Sequence, residues 1–278
     1  MKVVSSESIV LRQRDFKDRD RLVTFLTRDK GKLTGIAKGV KILTGRGVGS
    51  YEPFTRCVMY YAEKPSSDLV HIRKCDIAPP YLYLHPGYDK FLYLSYFTEL
   101  IEMGPVGAVE APALFDLLAR VLARAAEAEP ADFPALRLEF ELDWLHCAGL
   151  EPEWRHCLEC GEPIFAGRNG ALHPRRLTAH QFDVPRGGLR CPNCRRSGAG
   201  CHDLLPGALA GFAAWRWPAG ELPAETPRLA GAVLRDLQEA VSAHLLHHLE
   251  RRPRSLALLP GGEGAERVAP AVPAAPAD

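Results

Sequence analysis

Residues 5–40 read SSESIVLRQRDFKDRDRLVTFLTRDKGKLTGIAKGV, and this stretch sets the architecture of the first part of the chain. Short runs rich in β-branched and aromatic residues alternate with turn residues, such as Asp-Lys-Gly at 29–31. The pattern continues through PFTRCVMYYA (53–62) and DLVHIRKCDI (68–77). Five short strands at this spacing are typical of a small barrel and not of alternating strands and helices. We therefore predict an OB-fold β-barrel over residues 1–80.

After residue 85 the hydrophobic period becomes that of helices. Apolar residues recur at i, i+3 and i+4 in residues 89–103, 113–129 and 133–149, and two further helices are predicted over 206–217 and 227–251. Residues 81–156 and 203–258 should thus form one helical domain, interrupted by an insert over 157–202. The end of the chain, 260–278, is mostly Pro, Ala and Gly and is predicted to be a disordered tail. The predicted fold class is α+β, multidomain.

The insert contains the most specific motif of the chain. Cys157-Leu-Glu-Cys160 and Cys191-Pro-Asn-Cys194 are two C-x-x-C pairs separated by 30 residues. Four thiolates in this arrangement can close a tetrahedron around one Zn²⁺, and such a closed site stabilises a fold but leaves no position for a reacting water. Two redox pairs or disulfides are the alternative reading. Cys201, His202 and, less specifically, His156 are candidate substitute ligands.

The net charge of +1 hides an uneven distribution. Residues 1–80 contain 16 Lys and Arg against nine Asp and Glu, whereas residues 81–150 contain four against 11. A basic barrel attracts polyanions, so nucleic acid is the expected partner. The candidate DNA-binding residues are Arg12, Arg14, Lys30, Lys32, Lys38, Lys41 and Arg46. For Arg12 and Arg14 the alternative is an ordinary solvated surface, because acids alternate with the bases over residues 12–21. Tyr51, Phe54, Tyr60 and Tyr61 could stack on bases but fit a barrel core better.

Several classes of protein are disfavoured. A composition of 46% hydrophobic and 25% charged residues is that of a globular protein. No apolar run approaches membrane-spanning length, and the first ten residues have no export signal, so the bacterial cytoplasm is expected. The motifs H-E-x-x-H, G-x-S-x-G and the phosphate-binding P-loop do not occur. The residues therefore predict a binding protein and not an enzyme.

SIVLRQRDFKDRDRLVTFLTRDKGKLTGIAKGV (8–40), followed by SYEPFT (50–55), resembles the start of the bacterial RecO family. A helical body with a four-cysteine insert follows in the same order, and VSAHLLHHLERRPRSLALL (241–259) is similar to that family's closing segment. The resemblance covers roughly residues 3–260. Lys38 and Lys41 correspond by position to the family's basic pair after the third strand. Val40 departs from the pattern, because the family usually has a further basic residue there.

This resemblance implies a mediator of DNA repair and homologous recombination. Such a protein binds single- and double-stranded DNA, anneals complementary strands and, with RecR, loads RecA onto strands coated by SSB. The resemblance leaves open where the acidic SSB C-terminal tail docks; a basic groove in the helical body is one candidate, with Arg120, Arg124 and Arg137 as the cations between residues 91 and 151. The cysteines match the zinc-bearing branch of the family. The alternatives are an RNA- or ribosome-associated binding module and a zinc-dependent enzyme acting on nucleic acid.

Overall fold

The computed structural model describes residues 2–40, 51–64, 67–78, 87–104, 107–168, 171–175, 180–197, 200–205, 207–217, 229 and 231–260. Apart from Pro260, the predicted tail over 260–278 lies outside these residues, as do the predicted DNA contacts Lys41 and Arg46. No described helix is both long enough and apolar enough to cross a bilayer.

The first part of the chain is a closed five-stranded barrel with strand order β1-β2-β3-β5-β4, as an OB fold requires. The parallel pairing of β3 with β5 closes the barrel, and the other pairs are antiparallel. The predicted fold class is confirmed here. The strands are β1 (Val3–Phe16), β2 (Asp20–Thr27), β3 (Gly31–Ala37), β4 (Arg56–Lys64) and β5 (Ser67–Ile77).

Strand β1 is buried on both faces because it contributes to two cores. Val10 packs inside the barrel with Phe25 and Tyr61. Ile9 and Leu11, which point to the opposite face, belong to the apolar cluster of the helices. A register shift lies between Val10 and Arg12 in the pairing with β2, as at a β-bulge. One side of the barrel is therefore covered by the helical body.

Five helices are described after the barrel, and prolines mark where two of them start. Pro112 and Pro134 occupy the first turns of α2 and α3, where a missing N–H costs no intrahelical bond. Residues 255–258 form a 3-10 turn that packs against α1. The helices are α1 (Tyr88–Met103), α2 (Ala111–Glu127), α3 (Phe133–Cys147), α4 (Ala208–Arg216) and α5 (Gly231–His248).

The insert consists of short strands that share the core of the helices. Trp154, Phe182 and Leu189 are buried in the same apolar cluster as α1–α5. Trp154 packs against Phe182 and against Phe212 of α4, with ring centroids 5.2 and 4.3 Å apart. The insert is thus a layer on the helical body. Its strands are β6 (Phe165–Arg168), β7 (Ala171–Pro174), β8 (Gln181–Asp183), β9 (Gly188–Arg190) and β10 (Cys201–Asp203).

Ion pairs between charged side chains connect the barrel to the helices. Arg28 pairs with Glu7 of β1 at 3.2 Å and with Asp116 of α2 at 2.8 Å, and its guanidinium lies 5.3 Å from the ring centre of Phe115. Arg56 also pairs with Glu7, and that hydrogen bond is the main cause that lowers the pKa of the Glu7 carboxyl. Acids of the helical body thus neutralise bases of the barrel.

Closure of the barrel predicts a sensitive position in β3. A Cβ at Gly35 would lie 2.7 Å from Cγ1 of Ile72 and 2.9 Å from Cγ2 of Val70, two stiff β-branched side chains of β5. We expect Gly35→Ala to reduce the free energy of unfolding by about 1–3 kcal/mol through overpacking. Urea unfolding would measure this change. Gly167→Ala, at an exposed position of strand β6, is the control, because a Cβ there meets no atom within 4 Å, and an equal loss in both variants would contradict the prediction.

Candidate metal centre and basic barrel end

The sulfur atoms of Cys157, Cys160, Cys191 and Cys194 all lie within 4.8 Å of one another. The Sγ atoms of Cys160 and Cys191, one from each pair, are 3.8 Å apart. A tetrahedron of thiolates with metal–sulfur bonds of about 2.3 Å has edges of about 3.8 Å. The four cysteines are therefore already arranged for one tetrahedral ion. Cys157 and Cys191 are buried, while Cys160 is exposed.

Local backbone geometry builds each pair into a tight turn. The N–H of Gly161 donates to the carbonyl of Cys157 at 2.9 Å, and Gly161 has a φ of 71°, which favours glycine. The N–H of Cys194 donates to the carbonyl of Cys191 at 2.9 Å across a 3-10 turn that starts at Pro192. We call these two turns the first knuckle (157–160) and the second knuckle (191–194).

The backbone also joins the two knuckles. The N–H of Leu158 donates to the carbonyl of Leu189 at 2.9 Å, and the N–H of Cys191 donates to Sγ of Cys157 at 3.3 Å. Strands β8 and β9 form the hairpin that leads into the second knuckle. A 30-residue separation in sequence is thereby closed by hydrogen bonds between backbone groups.

The four sulfurs form a site that could hold one metal ion. Burial opposes ionisation of Cys157, but backbone N–H groups of Cys160, Cys191 and Glu159 outweigh it and lower its pKa to about 6. Hydrogen bonds with the thiols of Cys191 and Cys160, together with burial, raise the pKa of Cys194 to about 12. The surrounding protein groups thus favour the thiolate form of Cys157 but not that of Cys194. A divalent ion would compensate the negative charge of four thiolates.

The other candidate ligands are engaged elsewhere. Nε2 of His202 lies 2.8 Å from Oδ1 of Asp236 on α5, and Nδ1 of His156 lies 3.6 Å from Glu153. Cys201 lines a cleft of about 290 Å³ with polar residues that include Gln181 and Arg195. Within the described ranges, the four cysteines are the one group of potential ligands close enough to share an ion.

The predicted DNA-binding residues fall into separate places. Arg12 pairs with Glu102 at 2.6 Å, and Lys32 donates to the carbonyl of Glu102. Both cations therefore lie at the C-terminus of α1, where positive charge is favourable and α1 has no basic residue of its own in its last turn. Lys30 lies in the β2–β3 turn and pairs with Glu63 at 2.5 Å.

The remaining described candidates lie together. Strand pairing places the end of β1, the β1–β2 turn and the end of β3 side by side. In the sheet register, Asp15 lies opposite Arg21 of β2, and Arg21 lies opposite Ala37 of β3. Oδ1 of Asp20 accepts the N–H of Gly39 at 2.9 Å and ties the same corner together. The exposed cations there are Arg14, Lys17, Arg19 and Lys38, and we call three of them, Arg14, Arg19 and Lys38, the basic end. These three form no ion pair with an acid of the described chain.

The aromatic candidates mostly belong to cores. Tyr51 and Tyr61 are buried inside the barrel, and burial raises the pKa of each phenol to about 12. Phe54 is buried against the helices. Tyr60 is half-buried, with the Nζ of Lys74 lying 5.4 Å from its ring centre.

The sequence did not indicate a buried polar network in the helical body. Glu141 is fully buried and accepts hydrogen bonds from Tyr96 at 2.6 Å, from Nε of Arg137 at 2.8 Å and from Ser242 at 2.9 Å. The i, i+4 spacing of Arg137 and Glu141 was the available signal, but partners on α1 and α5 cannot be found from local spacing. Arg137 is thus a core residue and not a surface cation.

A closed OB barrel with a basic end, joined to helices that carry a four-cysteine insert, is typical of proteins that bind nucleic acid. Residues 1–81 match the family "Recombination protein O N terminal", and residues 85–257 match "Recombination protein O C terminal". The chain belongs to the RecO family, which confirms the resemblance seen in the sequence.

Curated relatives agree over nearly the whole length. The chain is 33% identical over 249 residues to the DNA repair protein RecO of Anaeromyxobacter sp. (strain Fw109-5), covering 88% of this chain and 90% of the relative. It is 30% identical over 263 residues to the DNA repair protein RecO of Desulforudis audaxviator (strain MP104C), covering 93% and 97%.

The geometry of the four cysteines predicts how many metal ions each chain binds. Because four thiolates complete one tetrahedral site, we expect about one bound ion per chain, and Cys191→Ser to lose it. Elemental analysis of the purified protein together with colorimetric metal release would measure this. Cys201→Ser is the matched control, since Cys201 lies outside the cluster. Retention of the ion in Cys191→Ser, or its loss in Cys201→Ser, would contradict the proposed ligand set.

Proposed function

We propose that this protein is a non-enzymatic mediator of DNA repair and recombination that binds single- and double-stranded DNA at the basic end and anneals complementary strands. The observation that supports this most directly is the cluster of Arg14, Arg19 and Lys38 at one end of an OB barrel, without acid partners among the described residues. Lys41 and Arg46 follow in sequence from the same end and extend the proposal. Annealing requires only that two phosphate backbones be neutralised while bases pair, and no acid–base catalyst.

We propose that Arg12, Lys30 and Lys32 contribute less to DNA binding than the basic end. Arg12 and Lys32 interact with α1, and Lys30 is paired with Glu63 at the other end of β2 and β3. Arg12 remains 54% exposed and could still reach a phosphate. The charge of the helical body, which pairs with one side of the barrel, leaves the basic end as the favourable surface for DNA.

The function is tested by annealing of complementary labelled strands coated with SSB, over a salt series, with and without the protein. We expect acceleration that weakens as salt rises, because phosphate contacts release counterions. No acceleration by metal-loaded protein would overturn the proposal. A preference for structured RNA over single-stranded DNA in a parallel binding assay would favour an RNA- or ribosome-associated module instead.

Charge reversal at the basic end should weaken DNA binding. We expect Lys38→Glu combined with Lys41→Glu to lower affinity for single strands and to reduce the slope of log K against log salt by about 0.7 for each lost phosphate contact. Fluorescence anisotropy at several salt concentrations would measure both. Lys30→Glu reverses one charge away from the basic end, and a loss of affinity there of half the size or more would contradict the assignment. Binding of RecR should be unchanged in the double variant.

We further propose that the helical body is the part of the protein that works with RecR and RecA. We place partner contacts on the helices and the insert, with RecA loaded indirectly through RecR. Action on DNA in a bacterial cell places the protein in the cytoplasm, at the nucleoid. The ion of the four-cysteine site is proposed to be one structural Zn²⁺, which would stabilise the insert and leave no open coordination position.

The acidic SSB tail is proposed to dock between α2 and α3. A shallow groove of only about 10 Å³ lies there over the buried side chains of Leu117, Val121 and Phe140, flanked by Arg120 and Arg124. Arg120 pairs with Asp143 at 3.2 Å, and Arg124 pairs with Glu139. Both arginines are half exposed, so these pairs are weak enough for an acidic peptide to replace. Arg137 is unavailable, because it is buried with Glu141.

This groove predicts a selective loss of SSB binding. We expect Arg124→Glu to weaken binding of a peptide with the sequence of the SSB C-terminal tail by about tenfold or more, since an attractive charge becomes repulsive. Isothermal titration calorimetry would measure the affinity. Arg235→Glu, on the exposed face of α5, is the charge-matched control. Unchanged peptide affinity in Arg124→Glu would move the docking site elsewhere.

A further inference from the structure

Two charged residues stand directly beside the cysteines in the two knuckles. Glu159 precedes Cys160 in the first knuckle, and Arg190 precedes Cys191 in the second. Nη1 of Arg190 lies 2.7 Å from Oε2 of Glu159. This ion pair therefore spans the same gap as the 3.8 Å separation between the sulfurs of Cys160 and Cys191.

Arg190 is held firmly enough to act as a fixed point. Its side chain is 1% exposed, and Nε and Nη2 donate to Oδ2 of Asp183 at 3.0 and 2.6 Å. Asp183, itself buried, also accepts the backbone N–H of Arg186 at 3.1 Å. A buried guanidinium with carboxylate partners on two sides has little freedom to reorient. Breaking one side of such a buried arrangement is costly, because it leaves a charge without compensation.

Glu159 forms ion pairs with arginines from three segments of the insert. Besides Arg190, it pairs with Arg186 at 3.2 Å and with Arg196 at 2.9 Å. Arg186 also donates to the carbonyl of Leu158 at 3.0 Å, inside the first knuckle. The hairpin turn, strand β9 and the segment after the second knuckle are thus all tied to the first knuckle.

The charge of this cluster suits an anionic metal centre. Four thiolates and one divalent ion carry a net charge of −2, and the buried cation Arg190 directly precedes Cys191 of the second knuckle. Groups that orient metal ligands without touching the ion commonly change metal affinity 10–100-fold when removed.

We propose that Glu159 and Arg190 are positioning residues of the metal site: their ion pair holds the two knuckles in register for the ion. The inference rests on the proposed structural metal. Hydrogen bonds between the backbones of the knuckles bring the segments together, and the ion pair fixes the spacing of Cys160 and Cys191.

The test is the rate of metal release from the full-length, metal-loaded protein to an excess of a chromophoric chelator. We expect Glu159→Gln to release zinc about 10–100 times faster than the unmodified protein, because the knuckles lose their charged link. Glu162→Gln is the matched control: it makes the same charge change two residues after Cys160, and Glu162 is 41% exposed against 39% for Glu159. Arg190→Lys should also accelerate release, since an ammonium cannot bridge Asp183 and Glu159 as the guanidinium does.

A spectroscopic readout separates positioning from folding. With Co²⁺ in the site, we expect Glu159→Gln to keep its circular dichroism spectrum and to show an altered d–d absorption band, which reports ligand geometry. Release within twofold of the unmodified protein, or equal acceleration in Glu162→Gln, would overturn the positioning role while leaving the metal site intact. Absence of bound metal in the unmodified protein would overturn both the metal centre and this inference.

Discussion

The rest of the structure depends on the burial of strand β1 on both faces. Most strands of a small barrel have one face in the core and one in water. In β1, Val10 fills the barrel, while Ile9 and Leu11 pack among the helices. This arrangement removes one side of the barrel from solvent, so a polyanion must approach from another direction. A packing constraint in one strand thereby decides which surface is left for nucleic acid.

Electrostatics follow the same division. Two acids of the helical body, Glu102 and Asp116, pair with the barrel residues Arg12 and Arg28. Exposed pairs of this kind contribute little to stability, but they do consume positive charge on the covered side. The basic end retains its charge, and the resulting asymmetry supports the proposed DNA-binding site more directly than the total of +7 in residues 1–80 does.

The sequence predicted what depends on local patterns. Alternation located all five barrel strands to within a few residues, and the C-x-x-C spacing located four cysteines whose sulfurs do come together. Side-chain partners distant in sequence were not predictable. Lys32 lies in a basic stretch without acids, residues 30–51. Nothing in the neighbouring sequence indicates that Lys32 would donate a hydrogen bond to the backbone carbonyl of Glu102. The link between Glu159 and Arg190 likewise depends on a fold that brings residues 31 positions apart into contact.

The insert differs from a mobile finger on a linker, because its attachments to the helices are buried. Asp236 of α5 accepts the N–H of Leu205 at 2.7 Å and lies 2.8 Å from Nε2 of His202. The ring of His244 is buried between the carbonyls of Val184 and Leu150, at 2.8 and 3.0 Å. It lies where a Cβ at Gly187 would be, 2.4 Å from the ring, and this close approach requires glycine at a position whose φ is also 62°. Since Cys157 and Cys191 belong to the same apolar cluster as α5, an ion bound by the knuckles would stabilise the helical core as well as the insert.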